Sequence, residues 1–374
     1  MYCCINFLRK SLQIELDNYM ELLDKDIETP LTKQAFSKAR QHISPEAFKE
    51  LFELTSQEML NDSDMKKLKK YRVYAIDGTE IELSRSKELE KEYPPLRNNT
   101  TAPRARVSML YDVLNDCIID TNMQSISVSE RIMAKKHLQY YEESTDGKGL
   151  FILDRGYPSR ELISLLENQK YVIRLQKSFN KEIDNSSETD FEMNLHYKNQ
   201  ELKVRVLKLR LSSGEIEVLI TNLTREEFKK TDFMNIYALR WGIETKYDLL
   251  KNKLQLENFS GKTVTSVLQD FYATMYLSNM ASAIKIESDE IIASNDNNKE
   301  LKHTYVTNQN ILIGKLKNNL ILIMMNDNPK HREMLLNKLI NRLSQYKVTT
   351  VPNRHFPRPT EAHKKKRSKN KRAL

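Results

Sequence analysis

Two aspartates lie in contexts that favour metal chemistry. Asp77 in YAIDGTE and Asp154 in FILDRGY each end an apolar run, and each is followed within two residues by one of only eight glycines in the chain. We predict that each run is a strand ending at the aspartate, where glycine permits a sharp turn. For either aspartate alone, a turn-forming or helix-capping role is the alternative interpretation.

A third acidic residue, Glu244, lies in IYALRWGIETKYDLLKNKL at 236–254, which has the apolar periodicity of a helix. At about 100° per residue, a wheel gathers one apolar stripe roughly 80° wide. Its members are Ile236, Leu239, Ile243, Tyr247, Leu250 and Leu254. A second stripe, roughly 60° wide, holds Tyr237, Arg240, Glu244 and Lys251.

The second stripe has the residue types that bind a phosphate backbone. We predict one rigid helix that presents a carboxylate together with a phenol, a guanidinium and an ammonium. The alternative is a solvated helix face, on which a Glu and a Lys seven residues apart do not pair. Trp241 borders this stripe, and we predict that it serves packing.

Three carboxylates on two strands and one helix supply the hard oxygen ligands that Mg²⁺ prefers. Two such ions about 3.5 to 4 Å apart support phosphoryl transfer. Other chemistries have less support: neither a G-x-x-x-x-G-K-[ST] loop nor a G-x-G-x-x-G turn occurs, and the seven His form no metal-ligand pair. The three cysteines lack metal-ligand spacing, which favours a reducing interior.

The elements that must position these residues change in character along the chain. Residues 5–70 have helical periodicity. Alternating patterns then predict strands, with helices between them, at 71–83, 106–126, 149–157 and 170–177. Residues 178–222 look like a β-rich insertion with a hairpin at SSG, and the chain is helical again from about 225 to 346. The pattern predicts an α/β fold with a mixed sheet, flanked by N-terminal and C-terminal helical regions.

Positive charge is concentrated at the end of the chain. Of the net +9, residues 351–374 carry nine Lys or Arg against one Glu, which is +8. A basic tail after a nearly neutral body favours an acidic partner, either nucleic acid or an anionic membrane surface, with a solubilising, disordered tail as the alternative. Further candidate DNA contacts are Arg97, Arg104 and Arg106 in PPLRNNTTAPRAR, for which an ordinary exposed loop is the alternative, and Lys203, Arg205, Lys208 and Arg210 in the insertion. We expect neither a signal peptide nor a membrane span.

These motifs together resemble a bacterial insertion-sequence transposase of the DDE class. The subgroup is marked by Tyr-x2-Arg-x3-Glu-x6-Lys, which Tyr237, Arg240, Glu244 and Lys251 match, after DGT and DRGY in the same order. The resemblance covers roughly residues 30–290.

The resemblance implies an RNase H-like catalytic domain with Asp77 on the first strand, Asp154 after the fourth and Glu244 on the helix after the insertion. Asp77 would bridge two ions, Mg²⁺ or Mn²⁺, and the other two residues would each hold one. It also implies nicking at the terminal inverted repeats, attack by the freed 3′-hydroxyl, double-stranded DNA as partner, a homodimer at synapsis, no membrane, and a cytoplasmic, nucleoid-associated location.

The predicted domains follow from these assignments. Residues 1–70 form an N-terminal helical region, the candidate for DNA-end recognition. Residues 71–292 form the catalytic domain, with its insertion at 178–222. Residues 293–350 form a helical region that is the candidate for dimerisation, and residues 351–374 are the basic tail. Two other functions stay open: an RNase H-like metal-dependent nuclease that does not join DNA, and a non-catalytic DNA-binding protein derived from a transposase.

Overall fold

The computed structural model describes residues 2–5, 11–23, 30–95, 102–296 and 303–350. The helices are α1 (Tyr2–Ile5), α2 (Leu12–Leu22), α3 (Lys33–Arg40), α4 (Pro45–Asn61), α5 (Lys87–Glu92), α6 (Glu130–Ser144), α7 (Arg160–Leu165), α8 (Lys181–Asn185), α9 (Phe233–Ala238), α10 (Trp241–Asp248), α11 (Val264–Asp296), α12 (Gln309–Met324) and α13 (Pro329–Ser344). The strands are β1 (Arg72–Glu82), β2 (Arg104–Asp112), β3 (Cys117–Ser125), β4 (Gly149–Leu153), β5 (Lys170–Arg174), β6 (Asp190–Tyr197), β7 (Gln200–Arg210), β8 (Ile216–Thr221), β9 (Tyr305–Thr307) and β10 (Lys347–Thr349).

Eight of these strands form one mixed sheet in the order β3-β2-β1-β4-β5-β8-β7-β6. The pairs β1–β4 and β4–β5 are parallel, and the other pairs are antiparallel. β4 is buried along its whole length, β1 is buried from Arg72 to Ile76, and β5 is buried from Tyr171 to Ile173, as expected where strands are covered on both faces. The predicted α/β class with a mixed sheet is confirmed.

The register between β1 and β4 places the two aspartates side by side. The parallel pairing ends with Ile76 opposite Leu153, so Asp77 and Asp154 are the next residues of two neighbouring chains. Neighbouring strands lie about 4.8 Å apart, and residues in register point to the same face of a sheet. The strand pairing therefore brings both carboxylates to one edge of the parallel sheet.

The strand predicted at 71–83 agrees with β1, but the sharp turn predicted at Asp77 is wrong. β1 runs on to Glu82, and Asp77 and Gly78 stay in the ladder opposite Met109 and Ser108 of β2. The antiparallel partner thus holds the strand straight after its parallel partner β4 has ended. β4 does end immediately before Asp154, as predicted.

Helix α6 is fixed on the sheet by aromatic rings. The Tyr141 ring lies 5.0 Å from that of Tyr74 in β1 and 5.1 Å from that of Phe151 in β4, both edge-on. A Cβ on Gly149 would lie 2.8 Å from the Tyr74 ring, so this packing requires glycine at the start of β4. The packing fixes the helix that begins at Glu130.

The insertion extends the main sheet. Its predicted hairpin is β7 and β8, joined by a turn in which Gly214 has φ +87°. β8 pairs with β5, so the insertion continues the eight-stranded sheet, and β6, which was not predicted, forms the outer edge.

The segment 236–254 is helical but is not the single regular rod that we predicted. α9 ends at Ala238, α10 begins at Trp241, and a π-helical turn spans Leu249–Lys253. Between α9 and α10 the backbone bonds run three residues apart, as in Arg240 N–H to the Tyr237 carbonyl, which tightens the coil. The predicted apolar stripe is nevertheless buried, except that Leu239 is only partly so.

The chain divides into two compact units, residues 50–252 and residues 1–49 with 253–374. In the second unit, the buried Arg40 at the end of α3 pairs with Asp270 of α11 at 2.8 Å. These boundaries differ from the predicted ones at 70 and 292, while the roles assigned to the domains stay predictions. Among the described helices, we find none with the length and apolar character needed to cross a membrane.

Candidate active site

Asp77 lies in β1 with 22% of its side chain exposed. The Gly78 N–H donates to its Oδ1 at 2.9 Å. Burial, and then the charges of Glu130 and Glu244, raise the pKa of this carboxyl to about 6 against the opposing effects of the Gly78 N–H and Arg240. The negative charge of Asp77 is therefore only partly compensated by the protein.

Asp154 follows β4 and accepts two hydrogen bonds. The Arg155 N–H donates to its Oδ1 at 2.7 Å, and the Tyr237 hydroxyl donates to the same oxygen at 3.0 Å. Burial and the charge of Asp154 raise the pKa of the Tyr237 phenol, which stays a donor. The first residue of the predicted polar stripe thus contacts the second aspartate.

Arg240 links the other two carboxylates. Its Nη2 donates to Glu244 Oε1 at 2.6 Å, and its Nη1 lies 3.7 Å from Asp77 Oδ2. The side chain is 6% exposed, and its Nε has no hydrogen-bond partner within the described part of the chain. A buried guanidinium therefore holds the cationic position between a strand carboxylate and a helix carboxylate.

Lys251, the last residue of the stripe, lies further along β1. Its Nζ donates to Thr79 Oγ1 and to the Glu80 carbonyl, each at 2.7 Å. All four stripe residues therefore face the same edge of β1 and β4, although the helix that carries them is irregular.

A sequence profile of the transposase DDE domain family matches residues 68–280, more than half of the chain. The chain belongs to this family. The matched range contains the whole eight-stranded sheet and the three carboxylates of this transposase domain.

Similar solved structures include two transposases bound to DNA. The piggyBac transposase synaptic complex with hairpin DNA is 12% identical, covering 75% of this chain and 58% of that one, with a TM-score of 0.43. The Mos1 transposase paired-end complex with the left transposon end is 12% identical, covering 45% and 51%, with a TM-score of 0.21. The chain thus spans little more than half the length of either. No curated protein matches the sequence.

The donor set of the transposase domain fits a hard divalent cation. Asp77, Asp154 and Glu244 offer carboxylate oxygens, and burial, followed by the charges of Glu130 and Glu244, raises the pKa of Asp77 to about 6. Over the residues that the structure describes, no three His, Cys, Asp or Glu side chains are grouped closely enough to hold an ion. These three carboxylates instead contact Arg240 and Tyr237.

Two predicted basic residues lie near the site, paired with one glutamate. Glu80 of β1 is 3.4 Å from Arg104 Nη1 and 3.7 Å from Arg106 Nη2. Arg106 also donates to the Val128 carbonyl at 2.7 Å. Their role in binding DNA stays a prediction, while Arg97 and the basic tail lie outside the described residues.

The basic residues of β7 have different surroundings. Arg205 is buried, makes two hydrogen bonds to Asp190 at 2.7 and 2.9 Å and donates to the Phe228 carbonyl. Lys208 donates to the Ser186 carbonyl, Lys203 pairs with Glu192 at 2.7 Å, and Arg210 is exposed. Of this predicted DNA-binding set, Lys203 and Arg210 are exposed.

Sequence reasoning missed three residues of the site. Glu130, the first residue of α6, lies beside Gly78. Tyr157 is buried, and burial, followed by the charges of Asp77, Glu130 and Asp154, raises the pKa of its phenol. The Tyr247 hydroxyl donates to the Asp77 carbonyl at 2.7 Å and ties α10 to β1. Glu130 follows an N-capping Ser129 and reads as an ordinary first-turn acid, and Tyr247 reads as part of the apolar stripe, so no sequence signal separates them.

The prediction for Trp241 is also corrected. Its side chain is 47% exposed, and its ring lies 5.4 Å from the Arg240 guanidinium. A residue at that exposure is not part of the core; the indole instead covers the outer side of the buried arginine.

Proposed function

We propose that this transposase binds the terminal inverted repeats of its insertion sequence and catalyses metal-dependent nicking and strand transfer. The observation that supports this best is the meeting of Asp77, Asp154 and Glu244 around Arg240 and Tyr237. Three elements distant in sequence contribute one acid each, and burial opposes the ionisation of the most central one.

We assign Asp77, Asp154 and Glu244 as holders of two Mg²⁺ or Mn²⁺ ions. When bound, the ions supply Lewis-acid activation of the attacking oxygen and stabilise the leaving oxygen. Two features of the fold support this assignment. The β1–β4 register puts Asp77 and Asp154 on neighbouring chains, and Arg240 contacts both Asp77 and Glu244.

Arg240, Tyr237 and Lys251 then position DNA phosphates. Arg240 suits bidentate phosphate contact and Lys251 acts as a point charge. In the free protein their donors bind carboxylates, a hydroxyl and a carbonyl, and these contacts hold them in place before DNA arrives. The basic tail and α1–α4 are our candidates for nonspecific DNA holding and end recognition, with a homodimer uniting two ends.

The decisive test uses a labelled duplex carrying the DNA that flanks this gene, with Mg²⁺. The wild type should nick the duplex and join it to a target, whereas Glu244→Gln should bind equally well and do neither. Asp248→Asn, an exposed acid on the same helix, should retain both reactions. Nicks without any joined product would favour a nuclease that does not join, and binding without any cleavage by the wild type would favour a non-catalytic DNA-binding protein.

A further inference from the structure

Helix α10 carries Glu244, but it is a short helix between two irregular turns. The coil tightens between α9 and α10, and a π-helical turn begins at Leu249. A helix of eight residues between two such breaks does not take its position from a longer rod. Side chains of α10 itself must therefore fix where Glu244 lies on the sheet.

A buried lysine provides such a contact, on a side of α10 that faces away from Glu244. Lys246 follows Glu244 by two residues, which places the two side chains about 200° apart around the helix. Its ammonium lies 2.9 Å from Asp116 Oδ1 and donates to the Asp116 carbonyl at 3.1 Å. The Lys246 side chain is 2% exposed, so an ammonium that water scarcely reaches holds α10 on the turn between β2 and β3.

Asp116 is itself held in position to receive this ammonium. It has φ +54°, a left-handed conformation that aspartate and asparagine adopt more readily than most residues. The Tyr111 hydroxyl donates to the same Asp116 Oδ1 at 2.7 Å, and the ammonium lies 5.7 Å from the centre of the Tyr111 ring. One turn earlier in the helix, a Cβ on Gly242 would lie 3.5 Å from that ring, so the helix backbone packs closely beside the pair.

Stability alone does not explain a buried ion pair at this place. Two apolar side chains of similar volume often stabilise a protein equally well or better, because both charges must leave water. An ion pair with directed hydrogen bonds instead requires one position of the helix, since the contacts are lost if the helix slides or rotates.

We propose that Lys246 and Asp116 form a positioning pair, which fixes the place of α10 and thereby sets Glu244 toward the metal site. This inference rests on the proposed function for the role of Glu244. The position of α10 can nevertheless be measured without DNA and without metal, so the two proposals can fail separately.

Trp241 reports the position of α10. It is the first residue of the helix and the only tryptophan of the chain, and its indole is 47% exposed beside Arg240. Asp116→Asn and Lys246→Met each remove one charge of the pair and nearly keep the side-chain volume. In the full chain without metal, each should raise the quenching of Trp241 fluorescence by acrylamide, up to about twofold because the indole is already about half exposed. Asp248→Asn, which alters an exposed acid of the same helix, should leave quenching unchanged.

Steady-state nicking of the labelled flanking duplex tests the consequence for Glu244. Both variants should lower kcat about tenfold, within the range caused by misplacing a reacting group by about 1 Å, and leave KM for the duplex within about twofold. Because the two residues act as one pair, the double variant should lose no more activity than either single variant. A pair that served stability alone would lower Tm and leave kcat per folded molecule unchanged.

Three results would overturn the proposal. The first is wild-type quenching together with kcat within about twofold of the wild type in both variants. The second is altered quenching with unchanged kcat, which would show that Glu244 does not depend on the pair. The third is an additive loss of activity in the double variant, which would show that the two residues act separately.

The failure of the proposed function would look different. If both variants alter Trp241 quenching but the wild type neither nicks nor joins the flanking DNA, the transposition proposal falls and the pair still fixes α10. If the wild type nicks and joins while both variants keep its quenching and kcat, the transposition proposal stands and the positioning pair falls.

Discussion

The site around Arg240 and the insertion at 178–222 both hold acids and bases in close contact, yet the acids respond in opposite directions. Burial and neighbouring acids raise the pKa of Asp77 to about 6. In the insertion, hydrogen bonds from Arg205 lower the pKa of Asp190, and those from Lys203 lower that of Glu192. Basic partners thus stabilise the ionised form of the insertion acids, whereas the surroundings of Asp77 disfavour its ionised form, which lowers the stability of the folded protein at neutral pH. Such shifts are typical of functional sites, in agreement with the role that we propose for Asp77.

The largest expected effect comes from neutralising Asp77, whose carboxylate is disfavoured by burial and by neighbouring acids. Asp77→Asn should reduce nicking and joining by on the order of 10³-fold or more, because the residue that we place on both ions loses its charge. Labelled flanking DNA measures this in gel assays. Asp190→Asn, an acid of similar exposure in the insertion, should keep the catalytic rate per folded molecule, and an equal loss there would remove the distinction between the two regions.

Removing the basic partner of an insertion acid should instead lower the free energy of unfolding. Arg205→Ala leaves Asp190 without its main partner and should cost about 3 kcal/mol of unfolding free energy, as removal of one member of a buried pair does. Urea denaturation measures the change. Lys203→Ala, whose side chain is largely exposed, should leave Tm unaltered. Mn²⁺ affinity should be unchanged in both, and a loss of affinity would show that the insertion takes part in the site.

The pH dependence of stability should carry the signature of Asp77. Its folded pKa of about 6 exceeds the ordinary 3.8, so the neutral form is favoured in the fold. The contribution of Asp77 to the free energy of unfolding, on the order of 2 kcal/mol, is present below about pH 4 and is lost as the pH rises through about 6. Metal-free Asp77→Asn should lack this loss when Tm is followed from pH 4 to 7. Identical profiles for both proteins would show that Asp77 ionises freely.

The smallest effect concerns the link between β1 and α10. Tyr247→Phe removes a hydroxyl that donates to the Asp77 carbonyl and should cost about 1 kcal/mol, with a severalfold slower reaction because Glu244 is less well held. Tyr197→Phe, a partly exposed phenol in the insertion, is the matched control. A reaction rate equal to that of the wild type would show that this bond does not position the helix.

The sequence could predict those residues whose positions follow from local patterns, but not those whose surroundings depend on distant parts of the chain. Asp77, Asp154, Glu244 and the polar stripe follow from local patterns, since strand alternation and helical spacing place them without knowledge of distant partners. The alternation at 71–83 also predicts the full length of β1, but the turn predicted at Asp77 was wrong, because the pairing of that residue with Met109 of β2 depends on residues far away in the sequence. Likewise, the candidate DNA contacts predicted along β7 included the buried Arg205, because the strand that carries its partner Asp190 was not predicted.

Glu130 shows a second limit of local patterns. An acid after an N-capping serine has a complete local explanation, the favourable interaction with the helix N-terminus. Its place beside Asp77 depends on how α6 packs on the sheet, which involves residues far from it in the sequence.

The most direct test of the account is a crystal structure of the full chain with Mn²⁺, located by its anomalous scattering. We expect Mn²⁺ at about 2.1 Å from carboxylate oxygens of Asp77, Asp154 and Glu244, with the Arg240 guanidinium moved off Glu244. Mn²⁺ bound elsewhere, with the contact between Arg240 and Glu244 intact, would contradict it.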